Sequence, residues 1–186
     1  MVPQQKSIEI DEGWNDLARA RGGSQMAWKA LFEEHSPRLL RMTALMTGSA
    51  DAAHDCVQET FVRALNSAIH HHQGSLRTYL STIAYRLALT ERARRNRLGA
   101  IEELDPRSPD PSPLDNAIAN EREREVARML QALPAHFREI LILRLHGEHS
   151  YEDIADITGL PLGTVKSRIF YAVKAARLEM KKRGMR

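Results

Sequence analysis

Apolar residues recur every three or four positions along most of this chain, a spacing that predicts helices rather than strands. Ser24 can cap a helix that starts at Gln25, and Pro37 inside that helix predicts a kink or a break. A second helix is predicted over residues 50–68, and a third follows the capping residue Ser75. No segment of useful length alternates between apolar and polar residues, so the pattern predicts an all-α fold.

The same spacing predicts which side chains face a core, because residues three and four positions apart lie on one side of a helix. Three stripes of apolar residues result. The stripe in the second helix consists of Ala53, Val57, Phe61, Ala64, Leu65 and Ala68, and the stripe in the third consists of Leu76, Leu80, Ile83 and Leu87. A later helix begins at Pro134 and ends at Gly147, and its stripe consists of Phe137, Ile140, Leu141 and Leu145.

The helical pattern is interrupted in the middle of the chain. Residues 99–113 contain four prolines and a run of acidic residues without a sustained period, which predicts a flexible linker. Helical spacing resumes after it. The sequence therefore predicts a tail at residues 1–13 and two small helical domains, at 14–98 and 114–186, on either side of the linker.

Two helices near the C-terminus have the spacing of a helix-turn-helix. Ser150 and Asp153 form a capping-box pattern in front of a short helix that Gly159 ends. Ala155 permits close approach of the next helix, and Val165 can pack between the two. The second helix would then expose side chains near its N-terminal end, the end that enters a DNA major groove. An ordinary helical hairpin is the alternative that fits the same spacing.

Basic residues are concentrated in two places, although the formal net charge is only +3. From residue 166 to the end, eight Lys or Arg residues stand against one acid, and four arginines lie close together at residues 92–97. Such blocks favour a polyanion as partner. The alternative is two solvated helix ends, where cations interact favourably with the helix dipole.

Composition narrows the class of protein. Hydrophobic residues make up 42% of the chain and aromatic residues 5%, which suits small helical bundles. Cys56 is the single cysteine, so no disulfide framework can form within the chain. The N-terminus has no apolar signal core, and no apolar run approaches the roughly 20 residues of a membrane span. We expect a cytoplasmic protein with no membrane insertion.

The sequence carries no pattern of an enzyme. It contains no Gly-rich phosphate loop, no metal-ligand spacing and no nucleophile–base pair, so we predict no catalytic residues and no cofactor. Three consecutive histidines at residues 70–72 suggest a metal, but consecutive side chains point in different directions and no cysteine lies nearby. We therefore predict no metal site there.

Three motifs resemble one family, the extracytoplasmic-function (ECF) sigma factors of bacterial RNA polymerase. The block "LPAHFREILILRLHGEHSYEDIADITGLPLGTVKSRIFYAVKAARLEM" resembles sigma region 4, and "GTVKSR" within it is highly specific. In the first half, "AAHDCVQETFVRAL" and "YLSTIAYRLALTERARRNR" resemble successive parts of sigma region 2. The motifs stand in the order of the family, and the linker separates them.

The resemblance implies a function. Members of the family bind core RNA polymerase through a coiled coil of a large subunit, direct it to promoter DNA and help to open the duplex. An anti-sigma factor is a further partner that the family allows. The implied core-binding residues are Asp55, Gln58 and Glu59. The implied −35 contacts are Lys166, Ser167, Arg168, Phe170, Tyr171 and Lys174, and the implied −10 contacts are His71, His72, Tyr79, Arg86, Arg92, Arg94, Arg95 and Arg97.

Four positions depart from the family pattern. Tyr79 stands where Trp is usual, Arg86 where Asn is common, Thr90 where Asp is common, and Tyr171 where Arg often follows Phe. All four lie near positions that the resemblance places against DNA, so they bear on the promoter sequence rather than on the class of activity. A stand-alone helix-turn-helix regulator that binds DNA without polymerase is the alternative function.

Overall fold

The computed structural model describes residues 12–68, 74–102 and 121–184, with side chains described for 12–68, 74–97 and 124–184. All regular structure in these ranges is α-helical, and the sequence predicted this fold class. The helices are α1 (Glu12–Arg21), α2 (Gln25–Thr47), α3 (Ala50–Asn66), α4 (Leu76–Glu102), α5 (Glu121–Gln131), α6 (Ala135–Leu145), α7 (Tyr151–Thr158) and α8 (Leu162–Lys182). We call α1–α4 the N-terminal bundle and α5–α8 the C-terminal bundle.

The N-terminal bundle has the predicted caps and one helix that the sequence did not predict. Ser24 Oγ accepts a hydrogen bond from the Ala27 amide at 3.3 Å, and α2 continues through Pro37 without a break. Helix α1 begins at Glu12, so the last two positions of the predicted tail are helical. It is only ten residues long and buries Trp14 and Leu17, too few apolar positions to give a clear period.

The predicted stripes are largely buried, with corrections at their ends. Ala68 was predicted to be buried but is exposed beyond the end of α3, and Leu145, at the end of α6, is 60% exposed. The side chains of Ile142 and Leu143 are buried instead, because both sides of α6 are covered. Helix α4 runs to Glu102, so the first positions of the predicted linker are helical.

The C-terminal bundle contains the predicted helix-turn-helix, formed by α7 and α8. The capping box between Ser150 and Asp153 is present, and Gly159 ends α7 with a left-handed φ of 70°. Val165 and Ile169 are buried between the helices. The opposite side of α8 therefore faces outward.

The two bundles pack against each other, which the sequence did not predict. Helix α4 contacts α7, and α2 contacts α6. Thr78, Ser81 and Tyr85 on α4 are buried in addition to the face that packs inside the N-terminal bundle. Helix α4 is consequently covered on two sides. None of the helices in the described ranges has the length and apolarity needed to cross a bilayer.

The turn between α6 and α7 depends on a close approach at Gly147. A Cβ atom there would lie 2.6 Å from both His149 Cδ2 and the Leu143 carbonyl oxygen. Gly147 does not have a left-handed φ, so the requirement is for space rather than for backbone freedom. The turn carries His149 into the contact between the bundles.

We expect Gly147→Ala to destabilise the protein by roughly 1–3 kcal/mol, because the added methyl group overpacks a buried turn. Gly163→Ala is the matched control, since a Cβ at Gly163 in the first turn of α8 would meet nothing within 4 Å. It should be neutral or stabilise by up to roughly 1 kcal/mol, since alanine favours helix more than glycine does. Urea unfolding of both variants measures the difference, and equal effects would contradict the packing argument.

Candidate nucleic-acid and polymerase interface

Helix α8 exposes a compact polar and aromatic face at its N-terminal half. Lys166, Ser167 and Lys174 are exposed, and Phe170 and Tyr171 are 67% and 56% exposed. The two aromatic rings meet edge to face, with centroids 5.3 Å apart. Exposed aromatic rings of this size are unusual on a surface that has no partner, so this face has the character of a binding surface.

Packing on the other side of α8 fixes the direction of this face. Val165, Ile169, Ala172 and Ala176 are buried at the spacing of a helix. Each exposed side chain listed above lies between these positions and is therefore presented by a rigid element. Ser167 Oγ donates a hydrogen bond to the Thr164 carbonyl at 3.0 Å, and this bond leaves the oxygen able to accept another.

Arg168 differs from its neighbours on α8. Its side chain is half-buried, and its charge acts on the Tyr85 hydroxyl of α4. Arg168 is therefore less exposed than Lys166 and Ser167, the two residues before it on α8.

Helix α3 carries the second predicted surface. Asp55 and Gln58 are exposed, Glu59 is half-buried, and Glu59 Oε1 accepts from Arg63 Nε at 2.7 Å. The opposite side of the helix is buried in the N-terminal bundle and includes Cys56, whose pKa burial raises to about 11. The polar face is thus separate from the core, and the thiol stays protonated at neutral pH.

The predicted −10 residues on α4 do not form one uniform surface. Arg86 and Arg97 are exposed, and Arg94 makes two hydrogen bonds of 2.8 Å to Glu91. These bonds lower the pKa of the Glu91 carboxyl. Tyr79 is half-buried against Trp14, with ring centroids 5.1 Å apart. Arg95 is half-buried, and His71 and His72 lie outside the described residues.

Arg92 is bound by the C-terminal bundle. Its Nη2 lies 2.6 Å from Glu139 Oε1 on α6, and Tyr85 donates a hydrogen bond of 3.1 Å to Glu139 Oε2. The Arg92 and Glu139 side chains are 20% and 15% exposed. Burial and the Glu139 charge raise the pKa of Tyr85, so the phenol stays protonated as a donor.

Further polar contacts join the α6–α7 turn to α4. Arg77 donates to the carbonyl oxygens of Gly147 and Glu148. Thr78 Oγ1 lies 2.9 Å from Asp153 Oδ1, and Ser81 Oγ lies 2.9 Å from His149 Nε2. Sequence reasoning missed these partners because they are about 70 positions apart in the chain and have no shared period.

His149 is fully buried, and its Nδ1 atom has no partner among the described residues. Burial lowers the pKa of the imidazole to about 4. The charged groups around the ring are Arg77 and Arg38, which lower the pKa further, and Asp153 and Glu148, which oppose them. The ring is therefore neutral at pH 7.

Within this all-helical fold, the helix-turn-helix with its exposed basic and aromatic face defines a DNA-binding protein. Comparison with models of protein families identifies which class of DNA-binding protein this chain represents. The model of sigma-70 region 2 matches residues 31–98, and that of sigma-70 region 4 matches residues 123–175. The chain belongs to the sigma-70 family and, within it, to the ECF RNA polymerase sigma factors.

Relatives cover most of the chain. The ECF RNA polymerase sigma factor SigL of Mycobacterium tuberculosis is 34% identical over 84% of this chain and 90% of its own length. SigE of Mycolicibacterium smegmatis is 32% identical, but this chain spans only 57% of its length. The solved sigma factor RpoE from Bartonella quintana, in complex with the anti-sigma factor NepR, has a TM-score of 0.66 and 25% identity, covering 83% of this chain and 96% of that one.

We expect the protein to lose stability as the pH falls from about 6.5 towards 4. The pKa of His149 is depressed in the folded state from its ordinary 6.5 to about 4, so in this window the unfolded chain binds more protons. The slope from this residue is at most about 1.4 kcal/mol per pH unit. Urea unfolding at several pH values should show a shallower dependence for His149→Gln than for the wild type. His54→Gln is the control, because His54 is exposed; if both variants keep the wild-type slope, His149 is not the group that titrates.

Proposed function

We propose that this chain is the promoter-specificity subunit that binds core RNA polymerase and directs transcription initiation at promoters with −10 and −35 elements. The observation that carries the proposal is the outward face of α8, which lies at the end of a helix-turn-helix and combines basic, hydroxyl and aromatic side chains. Such a face suits the major groove, where base edges offer acceptors and thymine offers a methyl group.

The residues on α8 differ in which part of the DNA they can contact. Lys166 and Ser167 near the start of the helix are suited to base edges, and Phe170 or Tyr171 to a thymine methyl group. Arg168 and Lys174 are suited to phosphates, which position the protein without reading sequence. Together these residues form the proposed −35 surface.

Core polymerase docks on the polar face of α3 in this proposal. Asp55, Gln58 and Glu59 lie three and four positions apart on the side opposite the buried core, so they form one surface. This surface carries two carboxylates, which favours a basic partner helix. The region-2 family match includes all three positions and supports the assignment.

The −10 element is assigned to α4 and the histidine-containing segment before it. Arg86, Arg94, Arg95 and Arg97 supply cations along one helix, and Tyr79 supplies a ring on which a base can stack. Arg92 joins this set only when its contact with Glu139 is broken. His71 and His72 remain part of the proposed surface.

Three further properties belong to the same proposal. The chain acts without catalysing a reaction of its own, and it works in the cytoplasm, where promoter DNA and polymerase meet. An anti-sigma factor is a candidate regulator, because the similar sigma factor RpoE was solved in complex with one.

Sequencing transcript starts made by core polymerase with and without this chain tests the function. A stand-alone regulator would instead shift promoter DNA without polymerase and create no new starts.

We expect Glu59→Lys to weaken binding to core polymerase by at least tenfold, because it reverses a charge in the centre of the proposed docking face. Gln58→Ala should weaken it less. Arg63→Ala is the matched control, since it breaks the same 2.7 Å ion pair but leaves the Glu59 carboxylate in place. Affinity is measured by pull-down and fluorescence titration, with circular dichroism to verify the fold. Equal losses for Glu59→Lys and Arg63→Ala would mean that the ion pair, not the docking face, matters.

We expect Lys166→Ala to cost roughly 1–3 kcal/mol at particular base pairs of the −35 element and to relax preference there. Arg168→Ala should weaken all promoters about equally and reduce the salt slope by about one unit. The measurement is holoenzyme affinity for single-base promoter variants at several salt concentrations. A uniform loss for Lys166→Ala would assign that residue to the DNA backbone.

A further inference from the structure

The outward face of α8 continues past the proposed −35 surface towards the C-terminal end of the helix. Lys174, Arg177 and Lys181 are all exposed, and they follow Phe170 at steps of four, three and four positions. This spacing places the three cations in one line, on the side opposite the buried stripe that begins at Val165. We call these three cations the basic line.

The cations of the basic line are available to a partner. Among the described residues, none of the three pairs with an acidic side chain. Glu179, the acid in this part of α8, binds its own neighbours: its Oε1 accepts from Arg183 Nε at 2.9 Å, and its Oε2 lies 3.4 Å from Lys182 Nζ. These contacts lower the pKa of the Glu179 carboxyl. The charge of Glu179 is therefore compensated locally and does not offset the basic line.

Interaction with the helix dipole explains the cations at the very end of α8 but not the whole basic line. That interaction is confined to the last turn of a helix, and α8 ends at Lys182. Lys174 lies eight positions before this end and Arg177 five positions before it, so both lie outside the last turn. Exposed cations in one line along a helix instead indicate a polyanionic partner.

A straight helix of this length cannot stay within the major groove. Helix α8 has 21 residues and is therefore about 31 Å long at about 1.5 Å per residue, whereas the major groove is about 12 Å wide and curves around the duplex. In a helix-turn-helix, the N-terminal residues of the second helix contact base edges. Lys181 lies about 16 Å further along the axis than Phe170. The C-terminal half of α8 must therefore leave the groove and pass the neighbouring phosphates.

We propose that the C-terminal half of α8 is a second, sequence-independent DNA contact, in which Arg177 and Lys181 bind phosphates of the duplex next to the −35 element. This inference rests on the proposed function, which places the N-terminal half of α8 on that element. It adds two residues that lie beyond the region 4 family match, which ends at residue 175. Phosphate contacts add affinity without reading sequence, so they support binding to promoters whose −35 element is a poor match.

Duplex DNA fits this surface better than an acidic protein does. Protein interfaces depend on a desolvated centre of apolar or aromatic side chains. Among the described residues from 172 to 184, Leu178 is the one large apolar side chain that is exposed, at 57%. Phosphates need no such centre, and the basic line is continuous with the face assigned to the −35 element. Charge and continuity therefore both favour DNA.

The test measures the affinity of holoenzyme, assembled from core polymerase and the full chain, for promoter duplexes with an intact −35 element. One variant combines Arg177→Ala with Lys181→Ala. Its matched control combines Arg19→Ala with Lys29→Ala, which make the same change in charge at exposed side chains of the N-terminal bundle, outside the proposed DNA and polymerase surfaces.

A second set of duplexes locates the contact on the DNA. Uncharged methylphosphonates replace about five phosphates on one side of the −35 element or on the other, because about 16 Å corresponds to about five base pairs at about 3.4 Å each. A cation that binds one of these phosphates loses its partner, whereas the base edges of the element are unchanged.

We expect the Arg177→Ala, Lys181→Ala variant to bind every promoter roughly tenfold more weakly at about 0.1 M salt, with a salt slope reduced by about two units, one for each cation. The control should change the affinity by less than about twofold, because salt screens distant charges. On the duplex with methylphosphonates on the contacted side, wild type and variant should bind equally, since neither can make the charged contact there. Circular dichroism verifies that the variants keep their helices.

Two results would overturn the second contact. Equal affinities for the variant and the control would exclude DNA as the partner of the basic line and leave an acidic protein. A loss that persists on both methylphosphonate duplexes would place Arg177 and Lys181 within the element itself.

The proposed function has its own readout in the same titrations, namely the preference of wild-type holoenzyme for the −35 element over a scrambled one. If that preference is absent, the −35 assignment fails. If the preference is present and the variant binds as well as the control does, only the second contact fails.

Discussion

Helix α4 is the element on which both halves of the molecule depend, because two of its faces are buried at once. Leu80 and Ala84 pack into the N-terminal bundle, while Ser81 and Tyr85, one position further along, face the C-terminal bundle. Each residue step turns the helix by about 100°, so neighbouring positions can serve different partners. The first face is apolar and builds a core, whereas the second is largely hydroxyl groups and builds a polar contact.

The chemistry of the second face decides how permanent the contact is. Burial of the leucine and alanine side chains is favourable because it removes apolar surface from water. Water offers these side chains no equivalent contact when they are exposed again. Hydrogen bonds such as Thr78 to Asp153 are exchanged for bonds to water on separation, so their net contribution is about 1 kcal/mol each. The charged groups of Arg92 and Glu139 are likewise hydrated again when the bundles separate. An interface of this kind is specific in orientation and modest in strength.

The outward face of α8 is positioned independently of that contact. Val165, Ile169 and Ala172 lock the helix into its own bundle, and the left-handed Gly159 sets the angle at which α8 leaves α7. Lys166 and Phe170 are thus held by the C-terminal bundle alone. The geometry of the proposed −35 surface is therefore set within the C-terminal bundle.

Local chemistry made much of this protein predictable from its sequence. The Ser24 cap, the Ser150–Asp153 capping box and the Gly159 turn depend on residues a few positions apart, and the α3 motif that carries Gln58 follows helical spacing. Short α1 escaped prediction because two buried side chains give no clear period. The pairing of Arg92 with Glu139 and of Ser81 with His149 was decided only by the tertiary structure. Residues 47 and 68 positions apart meet because two bundles dock, and no local pattern of polarity records which polar residues a docking event will bring together.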